Sequence, residues 1–136
     1  MKKKVKSEKW KMKNCNSKFK NDIRKRSYFY ALQIIKLIEE LPKNQTAKII
    51  GNQLLRSATS IGANIIEGQA AGSKKDFTNF LNIALKSANE SKFWLGLLRD
   101  SGQMDKEKIN NLLKETVEIS NILAKSILTL RGKRKF

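Results

Sequence analysis

Apolar residues recur every three to four positions along four long segments of this chain, and that spacing limits its fold more than any other feature. Such a period puts apolar side chains on one face of an α-helix, whereas a strand requires alternation. Short breaks around Pro42, after Gly68 and before Asp105 separate the segments. One proline and seven glycines supply little turn chemistry for an all-β fold. We therefore predict an all-α fold, an antiparallel up-down-up-down four-helix bundle over residues 21–131.

Capping residues and helix breakers indicate where each helix begins and ends. The first helix is expected to start near Asn21 or Asp22 and to stop at Pro42, and the second to run from Gln45 to Glu67. The third is expected to follow a Ser73 cap and to end near Arg99, and the fourth to follow an Asp105 cap and to end near Leu130.

Each predicted helix has a stripe of residues expected to face the core. In chain order these are Ile23, Tyr28, Ala31, Leu32, Ile35 and Ile38; Ile50, Leu54, Ala58, Ile61 and Ile65; Phe77, Leu81, Ala84, Ala88, Leu95 and Leu98; and Ile109, Leu112, Leu113, Val117, Leu123, Ile127 and Leu130. The third helix has a second stripe of Phe80, Ile83, Trp94 and Leu97, and Ile119, Ile122 and Leu128 widen the face of the fourth. Two interpretations of this extra apolar surface stay open: deeper burial, or self-association.

The charge is strongly basic and unevenly distributed. The chain has 29 lysines and arginines against 12 acidic residues, a net charge of +17. Residues 1–20 form a predicted disordered basic tail, and residues 132–136 a second basic tail. Basic ends on a mildly basic body favour an anionic partner. The candidate nucleic-acid contacts are Lys2, Lys3, Lys4, Lys6, Lys9, Trp10, Lys11, Lys13, Lys18, Lys20, Arg24, Lys25, Arg26, Arg131, Lys133, Arg134 and Lys135; Trp10 could stack on a base.

Several residue types needed for catalysis or metal binding are missing. Histidine is absent and Cys15 is the single cysteine, so neither a histidine general base, a disulfide nor a cysteine zinc site is expected. We therefore expect no enzyme activity, metal or cofactor. No apolar run approaches the roughly 18 residues of a membrane span, and no apolar segment follows the basic start as in a secretory signal. A cytoplasmic protein without a membrane partner is the expectation.

The segment "LLRSATSIGANIIEG" contains unusually many small and polar residues for a helix that faces a core. Small residues allow close approach of helix backbones, and polar ones in a partly buried interface need hydrogen-bond partners. We predict a structural polar network between the second and third helices that includes an Arg56–Glu90 ion pair and a hydrogen-bonded Asn64. Its predicted members are Arg56, Ser60, Asn64, Glu67, Ser87 and Glu90.

The segments "QLLRSATSIGANIIEG" and "KKDFTNFLNIALKSANES" together resemble the four-helix-bundle family of the 23S ribosomal RNA intervening-sequence protein. The resemblance covers the second and third helices closely and the other two by pattern. Departures include Gly62, where the family often has proline, and Lys86, where it often has glycine. The resemblance implies a small helical bundle that often forms a ring-shaped homo-oligomer such as a pentamer, without an established catalytic activity.

The leading hypothesis is a non-enzymatic oligomeric scaffold that binds nucleic acid, with RNA the favoured kind, through its basic tails and surface. The alternative is a protein–protein interaction hub, such as an accessory subunit of a nucleic-acid-processing enzyme. The partner protein in that case is unknown. Deleting both tails discriminates between the two, because only the first hypothesis depends on them.

Overall fold

The computed structural model describes the backbone from Lys18 to Lys135 and the side chains from Ile23 to Gly132. Four α-helices account for almost all of this part of the chain: α1 Lys18–Glu39, α2 Gln45–Gln69, α3 Lys74–Asp100 and α4 Lys106–Lys135. The all-α prediction is confirmed. Helix α1 begins before the predicted Asn21, and α4 continues through residues 132–135, which were predicted to be a separate tail. The rest of the predicted disordered tail, residues 1–17, lies outside the described residues.

Local chemistry at the turns explains three of the helix starts. The side chains of Asn44, Ser73 and Asp105 accept hydrogen bonds from the backbone N–H groups three residues ahead, at 2.8, 3.1 and 3.2 Å. These caps satisfy N–H groups that have no partner within the helix. Gly102 lies between α3 and α4 with φ of 78°, a left-handed conformation that favours glycine. The predicted caps at Ser73 and Asp105 are therefore confirmed.

The helices pack in the order α1, α2, α3, α4 around one core, with α4 also against α1. Along each pair of contacting helices, the residue numbers of the contacts increase on one helix and decrease on the other, as antiparallel packing requires. Ser60 meets Ser87 while Ser57 meets Ser91, and Arg26 meets Glu115 while Glu40 meets Lys108. Since four antiparallel helices reverse direction three times, α1 begins and α4 ends at the same end of the bundle.

The core contains most of the residues predicted for α2, α3 and α4. Its buried apolar members are Ile23, Tyr30, Ile34, Leu37, Ala47, Leu54, Ala58, Ile61, Ile65, Leu81, Ala84, Ala88, Leu95, Leu98, Ile109, Leu112, Ile119, Leu123 and Ile127. No described helix is long and apolar enough to cross a membrane.

The predicted inward face of α1 is only partly confirmed: Ile23 is buried and Ile38 packs against the core. Tyr28, Leu32 and Ile35 are exposed, and the helix instead buries Tyr30, Ile34 and Leu37. Both sets have helical spacing, so periodicity alone does not distinguish them. A polar contact favours the observed face: the Tyr30 hydroxyl lies 2.6 Å from the Thr116 hydroxyl inside the core, and this burial raises the pKa of Tyr30 to about 12.

Helix α4 shows the matching correction. Val117, predicted to be a core residue, is 41% exposed, whereas its neighbour Thr116 is fully buried. The Thr116 hydroxyl donates to the Leu112 carbonyl at 2.6 Å and accepts from Tyr30. A buried hydroxyl is tolerated when its hydrogen bonds are satisfied, and hydropathy alone does not reveal that pairing.

Candidate nucleic-acid interface

Helices α2 and α3 meet along a seam of serines. The Ser57 and Ser91 hydroxyls lie 2.8 Å apart in the buried part, and Ser87 donates to Ser60 at 2.9 Å one turn further along. Serine side chains are short, and each hydroxyl contacts a hydroxyl of the opposite helix, so the two backbones approach closely. Sequence analysis did not single out Ser91, although it lies four residues after the predicted Ser87 and therefore on the same face.

The outer edge of this seam carries the predicted charged residues. Arg56 forms an ion pair with Glu90, as predicted. Glu90 also accepts a hydrogen bond from the Trp94 indole at 2.9 Å, and Arg56 donates to Gln53 at 3.1 and 3.2 Å. More than half of the Arg56 side chain is exposed, so solvent screens the pair and it adds little to stability. Its main effect is to fix the register of α2 against α3.

Asn64 is hydrogen-bonded, but within its own helix. It donates to the Ser60 carbonyl at 2.8 Å and to the Ser60 hydroxyl at 2.9 Å, and Ser60 in turn accepts from Ser87. Asn64 therefore supports the seam through Ser60. Glu67 is exposed and makes no side-chain hydrogen bond to any described residue, so the structure does not place it in the network.

Glycines mark where α2 approaches its two neighbours. A Cβ on Gly68 would lie 3.0 Å from Phe80 and 3.2 Å from Phe77 of α3, and a Cβ on Gly62 would lie 3.3 Å from the Ser27 hydroxyl of α1. The close approach at Gly62 is therefore with α1. Ala63, the next small residue of this segment, is exposed. The small-residue segment thus serves two helix interfaces, and its hydrogen bonds are satisfied within the bundle.

The basic residues collect at one end of the bundle because of the helix directions. This basic end comprises the start of α1, the end of α2, the start of α3 and the end of α4, and its acidic residues are Asp22, Glu67 and Asp76. Its basic residues, apart from the arginines of α1, are Lys18, Lys20, Lys25, Lys74, Lys75, Arg131, Lys133, Arg134 and Lys135. Sequence analysis missed Lys74 and Lys75, which are distant in the chain from both termini. At the opposite end, basic residues alternate with Glu39, Glu40, Asp100, Asp105 and Glu107.

Two of the predicted nucleic-acid contacts are buried or ion-paired in the structure. Arg24 is buried, with 4% of its surface exposed. Arg26 donates to Glu115 at 2.7 and 3.0 Å and to Glu118 at 3.0 Å, and these carboxylates hold its pKa well above the ordinary value. Arg26 therefore ties α1 to α4, and Arg24 is buried beneath the surface. Their basic neighbours in sequence explain why they were taken for surface contacts.

The remaining predicted nucleic-acid contacts fall into three groups. Lys25 is half-buried and Arg131 is exposed, whereas Lys18, Lys20, Lys133, Arg134 and Lys135 lie on described helical backbone at the basic end. The predicted contacts Lys2, Lys3, Lys4, Lys6, Lys9, Trp10, Lys11 and Lys13 lie outside the described residues. Their segment joins α1 at this same end, since α1 begins there.

The fold and seam define an antiparallel four-helix bundle with a hydroxyl-lined α2–α3 interface. Residues 20–125 match the family described as 23S rRNA-intervening sequence protein, and the chain belongs to that family. A solved structure from Bacteroides thetaiotaomicron, described as a protein of unknown function from the S23 ribosomal protein family, is 38% identical with a TM-score of 0.76. The match covers 80% of this chain and 97% of that one. No curated protein matches the chain.

Proposed function

We propose that this protein is a non-enzymatic, homo-oligomeric scaffold of the cytoplasm that binds RNA through the basic end of its bundle. One observation carries the proposal: the helix directions bring two basic chain ends and the Lys74–Lys75 pair together. Concentrated positive charge attracts the phosphate backbone irrespective of sequence. The family's name refers to an intervening sequence of ribosomal RNA, which supports RNA as the nucleic acid.

We expect RNA affinity to fall steeply with salt, because binding releases the counterions condensed on the RNA. If about six phosphates are neutralised, the affinity should drop roughly 10³-fold between about 50 and 200 mM salt. Fluorescence anisotropy of labelled RNA measures this directly. A flat salt response would contradict the proposal.

A matched pair of charge reversals locates the contact. Lys74→Glu with Lys75→Glu changes the basic end, and Lys43→Glu with Lys48→Glu makes the same change in net charge at the opposite end. All four side chains are exposed, so both variants should fold. Only the first should lose most of the affinity. Equal losses would mean that overall charge, and not the basic end, governs binding.

Self-association is supported by the outer face of α1. Tyr28, Phe29, Leu32 and Ile35 are between 37% and 55% exposed along this one helix. Contiguous exposed apolar surface in a small protein marks an interaction site. On α3, Ile83, Phe93 and Leu97 provide a second exposed apolar surface, so the spare surface expected on the third and fourth helices is found mainly on α1 and α3. Contact between copies through α1 is our proposal, and five copies is the number that the family resemblance implies.

We expect Phe29→Ser combined with Leu32→Ser to dissociate the oligomer into monomers. Both side chains are exposed in the single chain, so their loss removes contact area between copies without opening the core. Light scattering coupled to size-exclusion chromatography gives the mass. Leu128→Ser removes another exposed leucine and should keep the wild-type mass. A double variant that keeps that mass would show that α1 is not the interface.

A further inference from the structure

A second basic surface runs along the side of the bundle where α3 and α4 meet. Helix α3 faces α2 through Ser87, Glu90 and Ser91, and it faces the core through Leu95 and Leu98. Its remaining edge faces α4, and the Arg99 guanidinium accordingly donates to Asn110 of α4 at 2.9 Å. Helical repeat places Asn82, Asn89 and Lys92 on this same edge of α3.

The facing edge of α4 is found in the same way. Its opposite edge contacts α1, through Lys108 with Glu40 and Glu115 with Arg26. The free edge that begins at Asn110 continues at three- to four-residue intervals through Lys114, Asn121 and Lys125. Lys114, Asn121 and Lys125 are exposed. We call the surface formed by Asn82, Asn89, Lys92, Lys114, Asn121 and Lys125 the α3–α4 face.

Across residues 23–132, the lysines of the α3–α4 face lack the ion pairs that Arg26, Lys108 and Arg56 form in two other grooves. Arg26 and Lys108 in the α1–α4 groove and Arg56 in the α2–α3 groove are all paired with glutamates. In contrast, Lys92, Lys114 and Lys125 form no ion pair with a carboxylate in the described part of the chain, and Lys92 donates only to Asn89, at 3.1 Å. Val117 lies between Lys114 and Asn121 on α4, and the nearby carboxylate of Glu118 accepts from Arg26 of α1 at 3.0 Å. The three lysines of this face are therefore not neutralised by ion pairs within the described residues.

We propose that the α3–α4 face binds double-stranded RNA along its length, with the lysines on phosphates and the asparagines on 2′-hydroxyls. This inference rests on the proposed RNA-binding function and assigns the form of RNA. The six residues that define the face span about 20 Å of the bundle axis. Lys114 and Lys125 are spaced by three helical turns, about 16 Å, so they contact separate phosphates.

The residue types favour an RNA duplex over the alternatives. A duplex is recognised by contacts to phosphates and 2′-hydroxyls, largely by shape. An asparagine amide both donates and accepts hydrogen bonds, as a 2′-hydroxyl does, whereas lysine alone does not distinguish RNA from DNA.

The test compares the full chain with two triple variants of equal net charge. Lys92→Gln, Lys114→Gln and Lys125→Gln change the face, and Lys36→Gln, Lys43→Gln and Lys48→Gln change exposed lysines elsewhere. With an RNA duplex of about 16 base pairs, the face variant should weaken binding at least tenfold. Its log–log salt slope should also fall by about 2 to 3 relative to wild type, because roughly one counterion is released per phosphate contact. The control variant should leave both the affinity and the salt slope nearly unchanged. Thermal melting confirms that both variants fold.

The amide contacts are tested separately with RNA and DNA duplexes of one sequence. Asn89→Ala with Asn121→Ala should reduce the preference for RNA over DNA several-fold and leave DNA affinity unchanged. Asn52→Ala with Asn111→Ala is the matched control on exposed asparagines of other surfaces.

The outcomes separate this inference from the proposed function. Equal behaviour of the two lysine triples, or tighter wild-type binding to single-stranded RNA than to the duplex, overturns the α3–α4 assignment while RNA binding stands. Absence of binding to every RNA overturns both.

Discussion

Leucine in place of Ser57 is expected to lower the free energy of unfolding by about 3 kcal/mol, at the upper end of the usual cost of overpacking. Ser57 is fully buried, and its hydroxyl lies 2.8 Å from that of Ser91 on the facing helix. A leucine side chain needs space that the α3 backbone already occupies, so the helices must separate or the side chain must leave its preferred rotamer. Urea denaturation followed by circular dichroism measures the loss.

Ser57→Ala is the matched control for that substitution. It removes the hydroxyl but adds no volume, and Ser91 keeps its hydrogen bond to the Ser87 carbonyl at 2.9 Å. We expect a cost of about 1 kcal/mol or less, the net value of one hydrogen bond. If leucine is tolerated as well as alanine, the two helices are not in close contact at this position.

Alanine in place of Tyr30 is expected to destabilise the protein by about 3 to 5 kcal/mol, the range for removing a buried aromatic ring. Tyr30 is fully buried among the core residues of α1 and α4. Its loss leaves a cavity and also leaves the Thr116 hydroxyl without one of its two hydrogen-bond partners. Thermal and urea unfolding should both show the change.

Two variants test whether the stabilisation comes from the face of α1 that carries Tyr30. Tyr30→Phe keeps the ring and should cost only about 1 kcal/mol, because Thr116 retains its bond to the Leu112 carbonyl. Tyr28→Ala removes the tyrosine two residues earlier, which is exposed, and should leave the unfolding free energy of the isolated chain nearly unchanged. A larger effect at Tyr28 than at Tyr30 would mean that α1 packs through its other face.

The contacts of α2 and α3 were the most predictable part of the molecule. Their apolar stripes and short polar residues have the same helical spacing, so antiparallel pairing alone placed Arg56 beside Glu90. The Ser73 and Asp105 caps were predictable for a similar reason, since capping depends on residues only three positions apart.

The buried faces of α1 and α4 were less predictable, because the local apolar pattern allows either of two faces to point to the core. Helix α1 has apolar residues on both sides, and its burial depends on Tyr30 meeting Thr116, which lies 86 residues away in sequence. The same limit applies to charge. Arg24 and Arg26 have the same basic surroundings as Lys25 in the sequence, yet one is buried and the other is paired with glutamates of α4.

The amino-acid sequence by itself determined that the chain forms four helices, where their caps lie, which surfaces of α2 and α3 meet, and that the protein carries excess positive charge. These properties arise from neighbours within one or two helical turns and from composition. Only the tertiary structure decided which side of α1 is buried, which arginines are neutralised, and that Lys74 and Lys75 join the chain ends at one end of the bundle. Those outcomes depend on distant residues brought together by the helix directions, and no local pattern records them.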